Sequence, residues 1–171
     1  NEDFRRDVVK RNYTNKSAIE LMKIPEELDI TFSVNNIIGF PGETRDLAFN
    51  TIELNRHFKS DDCSCSTLIP FAGTEIRQIA ESQNLIKSDQ ICTISNATEE
   101  GILDMPQWRK KEVAKLRNTF VMYVKFPKNR WPEIKKAETD REVHSKLTAE
   151  FIDTFWSKPD EELREAAKGL F

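Results

Sequence analysis

The chain has 171 residues, 38% apolar and 32% charged, proportions that suit one globular domain, or part of a larger one, with much exposed helix. A net charge of −3 supplies no basic field to draw it to nucleic acid or anionic lipid, and no apolar run nears the roughly 20 residues of a membrane span. The opening NEDFRRDVVKRN has neither an apolar signal-peptide core nor an initiator Met, which suggests a piece excised from a longer protein. Three cysteines, an odd number, argue against a disulfide framework and for a reducing cytoplasm.

Residues 2–11 alternate charge with Phe4, Val8 and Val9, as a short amphipathic helix does. Thr14 is placed to cap a second helix with Ala18, Leu21 and Met22 on one face. Pro25 is expected to end or kink it, since proline lacks the backbone donor and crowds the preceding turn. A strand follows over 31–38, and TFSVNNII breaks at GFPGET, where Thr44 starts a helix to about Phe58. Leu47, Thr51, Leu54 and Phe58 form one stripe on that helix, the face expected to cover the sheet. Cys63 to Ile69 reads as the next strand. Strand, crossover helix and strand make a βαβ unit, so the two strands are expected to be parallel with a right-handed crossover.

Thr74 then caps a helix with Ile76, Ile79 and Ala80 that stops near Asn84. Residues 87–104 are rich in Ser, Asn, Thr, Asp and Glu and read as a long surface loop or lid. Pro106 sits in the first turn of a helix with Val113, Leu116, Phe120 and Val124 on one face. Residues 125–136 hold five Lys or Arg against one Glu, with Trp131 among them, and read as a solvated connector. Arg141 to Phe155 carries Val143, Leu147, Phe151 and Phe155 at helical spacing, and Pro159 with three acids opens a last helix.

Two strands are too few, because a parallel sheet needs both faces covered. Either the second half packs over the open edge or further strands lie outside this chain. Glycines mark the candidate site. Gly39, Gly42 and Gly73, three of only five in the chain, lie where an apolar run gives way to a helix. Ligands of α/β sheets and barrels bind at the carboxyl ends of strands, so Gly39–Glu43 and Pro70–Thr74 are read as one ligand-facing rim. Glu43 is expected to cap the helix after it rather than touch ligand. Cys63 and Cys65 share a strand face and read as buried small residues. His57 and His144 have no partner at metal-ligand spacing, and Trp108, Trp131 and Trp156 read as packing anchors.

NNIIGFPGET, then STLIPFAGTEI, with RRDVVKRNYTN ahead of both, resembles radical S-adenosylmethionine (SAM) enzymes. The likeness is greatest to the cobalamin-domain-containing group of Fe-S oxidoreductases, with oxidative-cyclase-like and methyltransferase-like members. The three stretches lie within residues 1–86. The resemblance implies an α/β fold: the last βα units of a partial (β/α)6 TIM-like barrel over 1–86, followed by a mainly helical C-terminal extension over 87–171 that covers substrate. In that family a Cys-x3-Cys-x2-Cys loop holds a [4Fe-4S] cluster that binds SAM. No such motif is present here, so the cluster, and any cobalamin, would be held by parts of a parent enzyme outside this chain.

The resemblance further implies roles for single residues. Asn35 would reach the SAM ribose, its amide donating and accepting as a diol requires. Arg11, with Lys10 as the substitute, would meet the SAM carboxylate through a guanidinium fork. Ile38, Gly39 and Phe40, with Pro70 and Phe71, would hold adenine. Implied partners are the rest of the parent polypeptide, a small-molecule substrate and an electron donor such as flavodoxin or ferredoxin. The other reading is a stand-alone α/β binding or interaction module that kept the fold signature without the cluster. A different nucleotide-binding enzyme is disfavoured, since no Gly-x-Gly-x-x-Gly or Gly-x4-Gly-Lys loop occurs.

Overall fold

The computed structural model describes residues 1–93 and 101–156 and divides the chain into two compact units, Asn1–Lys125 and Phe126–Phe171. The first unit thus runs past the expected boundary at residue 87. It opens with α1 (Glu2–Asp7), α2 (Asn15–Leu21) and α3 (Lys23–Glu27). The Asn1 side chain accepts the Phe4 N–H, and Thr14 with Ser17 forms a capping box that satisfies orphan amides at the start of α2. The helix breaks at Met22, not at Pro25. Pro25 sits in the first turn of α3, where its missing N–H leaves no bond unmade.

The centre of the unit is a two-stranded parallel sheet, β1 (Ser33–Ile38) and β2 (Asp62–Thr67), joined by α4 (Arg45–Asn55). Val34, Asn36 and Ile38 pair with Cys63, Cys65 and Thr67 on the face that carries the buried positions. Asn36 and Asn55 exchange amide bonds there, at 3.1 and 2.8 Å, which tie β1 to α4. The opposite face, with Ser33, Asn35, Ile37, Asp62 and Ser66, is exposed. Leu68 N–H donates to the Ile38 carbonyl at 2.8 Å. Alternate residues of a parallel strand bond the same neighbour, so Val34, Asn36 and Ile38 turn their main chain to β2. Ser33, Asn35 and Ile37 therefore turn theirs to a free edge.

Alpha-helix α4 packs on β1 differently from the expectation. Its buried positions are Ala48, Ile52 and Asn55. The stripe Leu47, Thr51, Leu54 and Phe58 is half-buried and lines a groove beside the free edge of β1. Periodicity marked the apolar stripe, but the sheet among the described residues has two strands and the stripe does not lie buried against it.

After β2 come α5 (Glu75–Ser82), capped by Thr74, and α6 (Lys110–Lys125), which packs on β2 and α4. Val113, Leu116, Phe120 and Val124 are buried as their spacing predicts, and each fully buried large side chain contributes roughly 1.5–3 kcal/mol. Pro106 does not start α6. It lies in a turn closed by a bridge between Met105 and Trp108, both fully buried. The stretch 87–104, read as a long surface loop or lid, also differs: Ile102 and Leu103 are core residues. Residues 94–100 of that stretch lie outside the described residues. Arg77, on α5, is buried and ties residues 87–92 to the turn at Pro70. Its guanidinium donates to the carbonyls of Pro70, Lys87, Ser88 and Gln90 and to Glu81.

The second unit has a short 3-10 turn at Lys128–Arg130, then α7 (Trp131–Ala137) and α8 (Arg141–Phe151), which pack on each other. Asp140 caps α8, and Ile152–Trp156 continues it as a π-helical turn. Leu147 and Phe151 are buried, and Phe126, Phe151 and Phe155 form an aromatic cluster with centroids 5.0–5.9 Å apart. The helix expected after Pro159 lies outside the described residues. Among the described residues no helix is long and apolar enough to cross a membrane.

Candidate functional site

Within the first unit, α1, α2, α4 and the free edge of β1 enclose a groove of about 480 Å³. Consecutive residues Val34 to Ile37 line it, so the strand meets the groove edge-on. Arg11, Asn35 and Phe40, from three different segments, share this lining with Tyr13, Glu43 and Leu47.

The end of β1 shapes one wall. Glu43 N–H donates to the Phe40 carbonyl at 2.9 Å, closing a turn in which Gly39 and Gly42 have φ of +89° and +80°. L-residues with a side chain resist that region, so both glycines are conformationally required. A Cβ on Gly39 would meet Val113 Cγ1 at 3.1 Å, so this glycine admits α6 rather than a ligand. A Cβ on Gly42 would meet open space. Thr44 caps α4, accepting from Leu47 N–H. Glu43 therefore does not cap the helix. Its carboxyl turns back and accepts Gly39 N–H at 2.5 Å and Phe40 N–H at 3.1 Å. Burial, partly offset by those two amides, pushes it up to about 7.

Of the residues that the resemblance implicates, Arg11 is exposed at the groove, and its guanidinium makes no hydrogen bond or ion pair among the described residues. Lys10 has φ of +58°, which sends it to a smaller hollow with Ile76 and Ile79 on the other side of Phe40. Asn35 lies on the open sheet face, where Ser64 Oγ donates to its Oδ1 at 2.6 Å. That leaves the Asn35 amide donors directed to solvent. Ile38, Gly39 and Pro70 are buried and do not line the groove. Phe71 is 51% exposed and lies away from the groove lining.

Sequence reasoning missed Ser64 and Tyr13. Ser64 becomes visible once the parallel register pairs it with Asn35. Tyr13 lines the groove beneath the Arg5 guanidinium, 4.1 Å from its ring centroid.

The residues present do not suit a [4Fe-4S] cluster. Among those described, no three His, Cys, Asp or Glu side chains gather as a metal site. Burial pushes the Cys63 thiol up to about 11 and raises that of Cys65, whereas cluster ligands are thiolates. The basic run in the second unit is largely neutralised. Arg130 forms a two-bond pair with Glu150 at 2.7 and 2.9 Å, Lys135 pairs with Glu138, and Lys136 lies 3.7 Å from Asp140.

No protein-family model matches the chain, and no curated protein matches it either.

Proposed function

We propose that this chain is the nucleoside-holding part of a radical SAM enzyme, whose cluster, and any cobalamin, are held by other parts of the parent polypeptide. The supporting observation is that Arg11, Asn35 and Phe40 line one groove along the free edge of a parallel strand. In this reading Asn35, steadied by Ser64, bonds the ribose diol; Arg11 meets the carboxylate; and the Phe40 and Tyr13 rings bound the adenine side. Bound to its cluster, SAM would supply radical chemistry, with electrons from a flavodoxin or ferredoxin, to a small-molecule substrate in the cytoplasm.

The finer fold belongs to the same reading: β1 and β2 are the last strands of a partial (β/α)6 barrel. Its support is the free edge of β1 beside the uncovered Leu47–Phe58 stripe of α4, the surroundings that one further parallel strand fits.

Calorimetric titration of the chain with SAM tests the reading. Binding should weaken about tenfold in Asn35→Ala and in Arg11→Ala, the loss of one hydrogen bond or ion contact each. No heat at millimolar SAM, or an affinity in both variants unchanged from that of the unsubstituted chain, leaves the stand-alone binding module as the better account.

A further inference from the structure

The turn from Gly39 to Glu43 is held by its own last side chain. One carboxyl oxygen of Glu43 accepts the N–H groups of both Gly39 and Phe40, while the Glu43 N–H returns to the Phe40 carbonyl. From the other side Gln107 Nε2 donates to the Glu43 carbonyl at 3.0 Å. The turn contains two residues in the left-handed region and carries Phe40, which lines both the groove and the smaller hollow. The position of the Glu43 side chain therefore sets the position of a groove wall.

That side chain is 3% exposed, and among the described residues it forms no ion pair with Arg or Lys. The titratable and charged groups that face it are few. Strand β2 brings the Cys65 thiol. Arg5 and Arg11 line the same groove, and Gln107 contributes a neutral amide. Two amides compensate a buried carboxylate only in part, and the remainder of its hydration is lost.

We propose that Glu43 is a proton-operated positioning residue for the groove. Protonated, it lies buried and pins Gly39 and Phe40 into the wall; ionised, it is drawn toward water and the turn loosens. The sign follows from linkage. The pinned state holds the proton more tightly than a hydrated one, so rising pH drives the change toward the open turn. Burial pushes the pinned carboxyl up to about 7, so the drive toward the open turn sets in as pH rises through neutrality. The control of the turn stands on the geometry; its effect on SAM rests on the function proposed above.

Amide 1H–15N spectra of the chain between pH 5.5 and 8.5 test this. The Gly39 and Phe40 resonances should move together with one midpoint near neutrality, and their exchange protection should fall as pH rises. In Glu43→Gln, whose amide oxygen accepts both N–H groups without charge, both should stay fixed and protected. Independent or absent titration in the unsubstituted chain overturns the proposal, as does the same titration persisting in Glu43→Gln. Should that variant not fold, the common midpoint and the pH-linked loss of protection in the unsubstituted chain decide alone. SAM affinity measured over the same range should weaken about tenfold toward high pH, the equivalent of one pKa unit of coupling. Titrating amides without SAM binding leave the latch standing and sink the SAM reading. SAM binding with static amides does the reverse.

Discussion

Asn36 and Asn55 hold each other's amides across the interface of β1 and α4, Nδ2 to Oδ1 in both directions, at 3.1 and 2.8 Å. Asn36 also reaches the Ser64 carbonyl, and Asn55 reaches the carbonyl of Thr51, so strand, neighbouring strand and helix meet at one satisfied polar pair. Asn55→Ala strands a half-buried amide and should cost about 1–3 kcal/mol in urea denaturation. The double variant Asn36→Ala with Asn55→Ala should cost less than the two singles together, by about 1 kcal/mol. Strict additivity would mean that the pair is not coupled.

The caps and the strand direction were legible in the sequence, and the partners of each face were not. Thr14, Thr44 and Thr74 each precede an apolar-periodic run, and each accepts an amide of its helix. The parallel pair followed from strand, helix, strand alone. Periodicity marked the Leu47–Phe58 stripe but could not say that a groove lies against it. Ile102–Leu103 were misread, and Arg77 passed over, for a related reason. A lone arginine among polar residues looks solvated until loop carbonyls converge on it, and a polar stretch hides two core residues. At the site, Ser64 depended on a register between strands about thirty residues apart, which no local pattern encodes.

Arg77 shows how much one buried cation organises. Its side chain is 6% exposed, pairs with Glu81 at 2.5 Å, and donates to four main-chain carbonyls. Lysine keeps the charge but lacks the fork, so Arg77→Lys leaves several of those carbonyls unpaired and should cost about 2–4 kcal/mol. Hydrogen exchange should place the loss at residues 86–92 before the rest of the unit. Uniform loss across the first unit would show that Arg77 supports the fold generally rather than this segment.

The free edge of β1 predicts association. Ser33, Asn35 and Ile37 turn their main-chain groups away from β2, and Ile37, Leu21 and Leu28 are 51%, 58% and 64% exposed. Such edges recruit further strands unless charge blocks them. Sedimentation of the chain should therefore show concentration-dependent self-association, and Ile37→Lys should reduce it without lowering the melting temperature, since the Ile37 side chain is not in the core. A monodisperse monomer at high concentration would count against an open sheet and against the barrel reading.

The pH dependence of stability follows from the same carboxyl that holds the Gly39 turn. Glu43 titrates at about 7 when folded, against an ordinary value of 4.5. The folded state therefore binds this proton more tightly than the unfolded one. The stabilisation is fully present below pH 4.5 and is lost as pH rises through 7, for a total of about 3 kcal/mol from this group. Glu43→Gln should flatten that slope and leave the variant more stable than the unsubstituted chain above neutrality. Denaturation midpoints at pH 5.5, 7 and 8.5 measure both effects. A slope that Glu43→Gln leaves unchanged would assign the proton to another group and would mean that the charge of Glu43 is better hydrated than its burial implies.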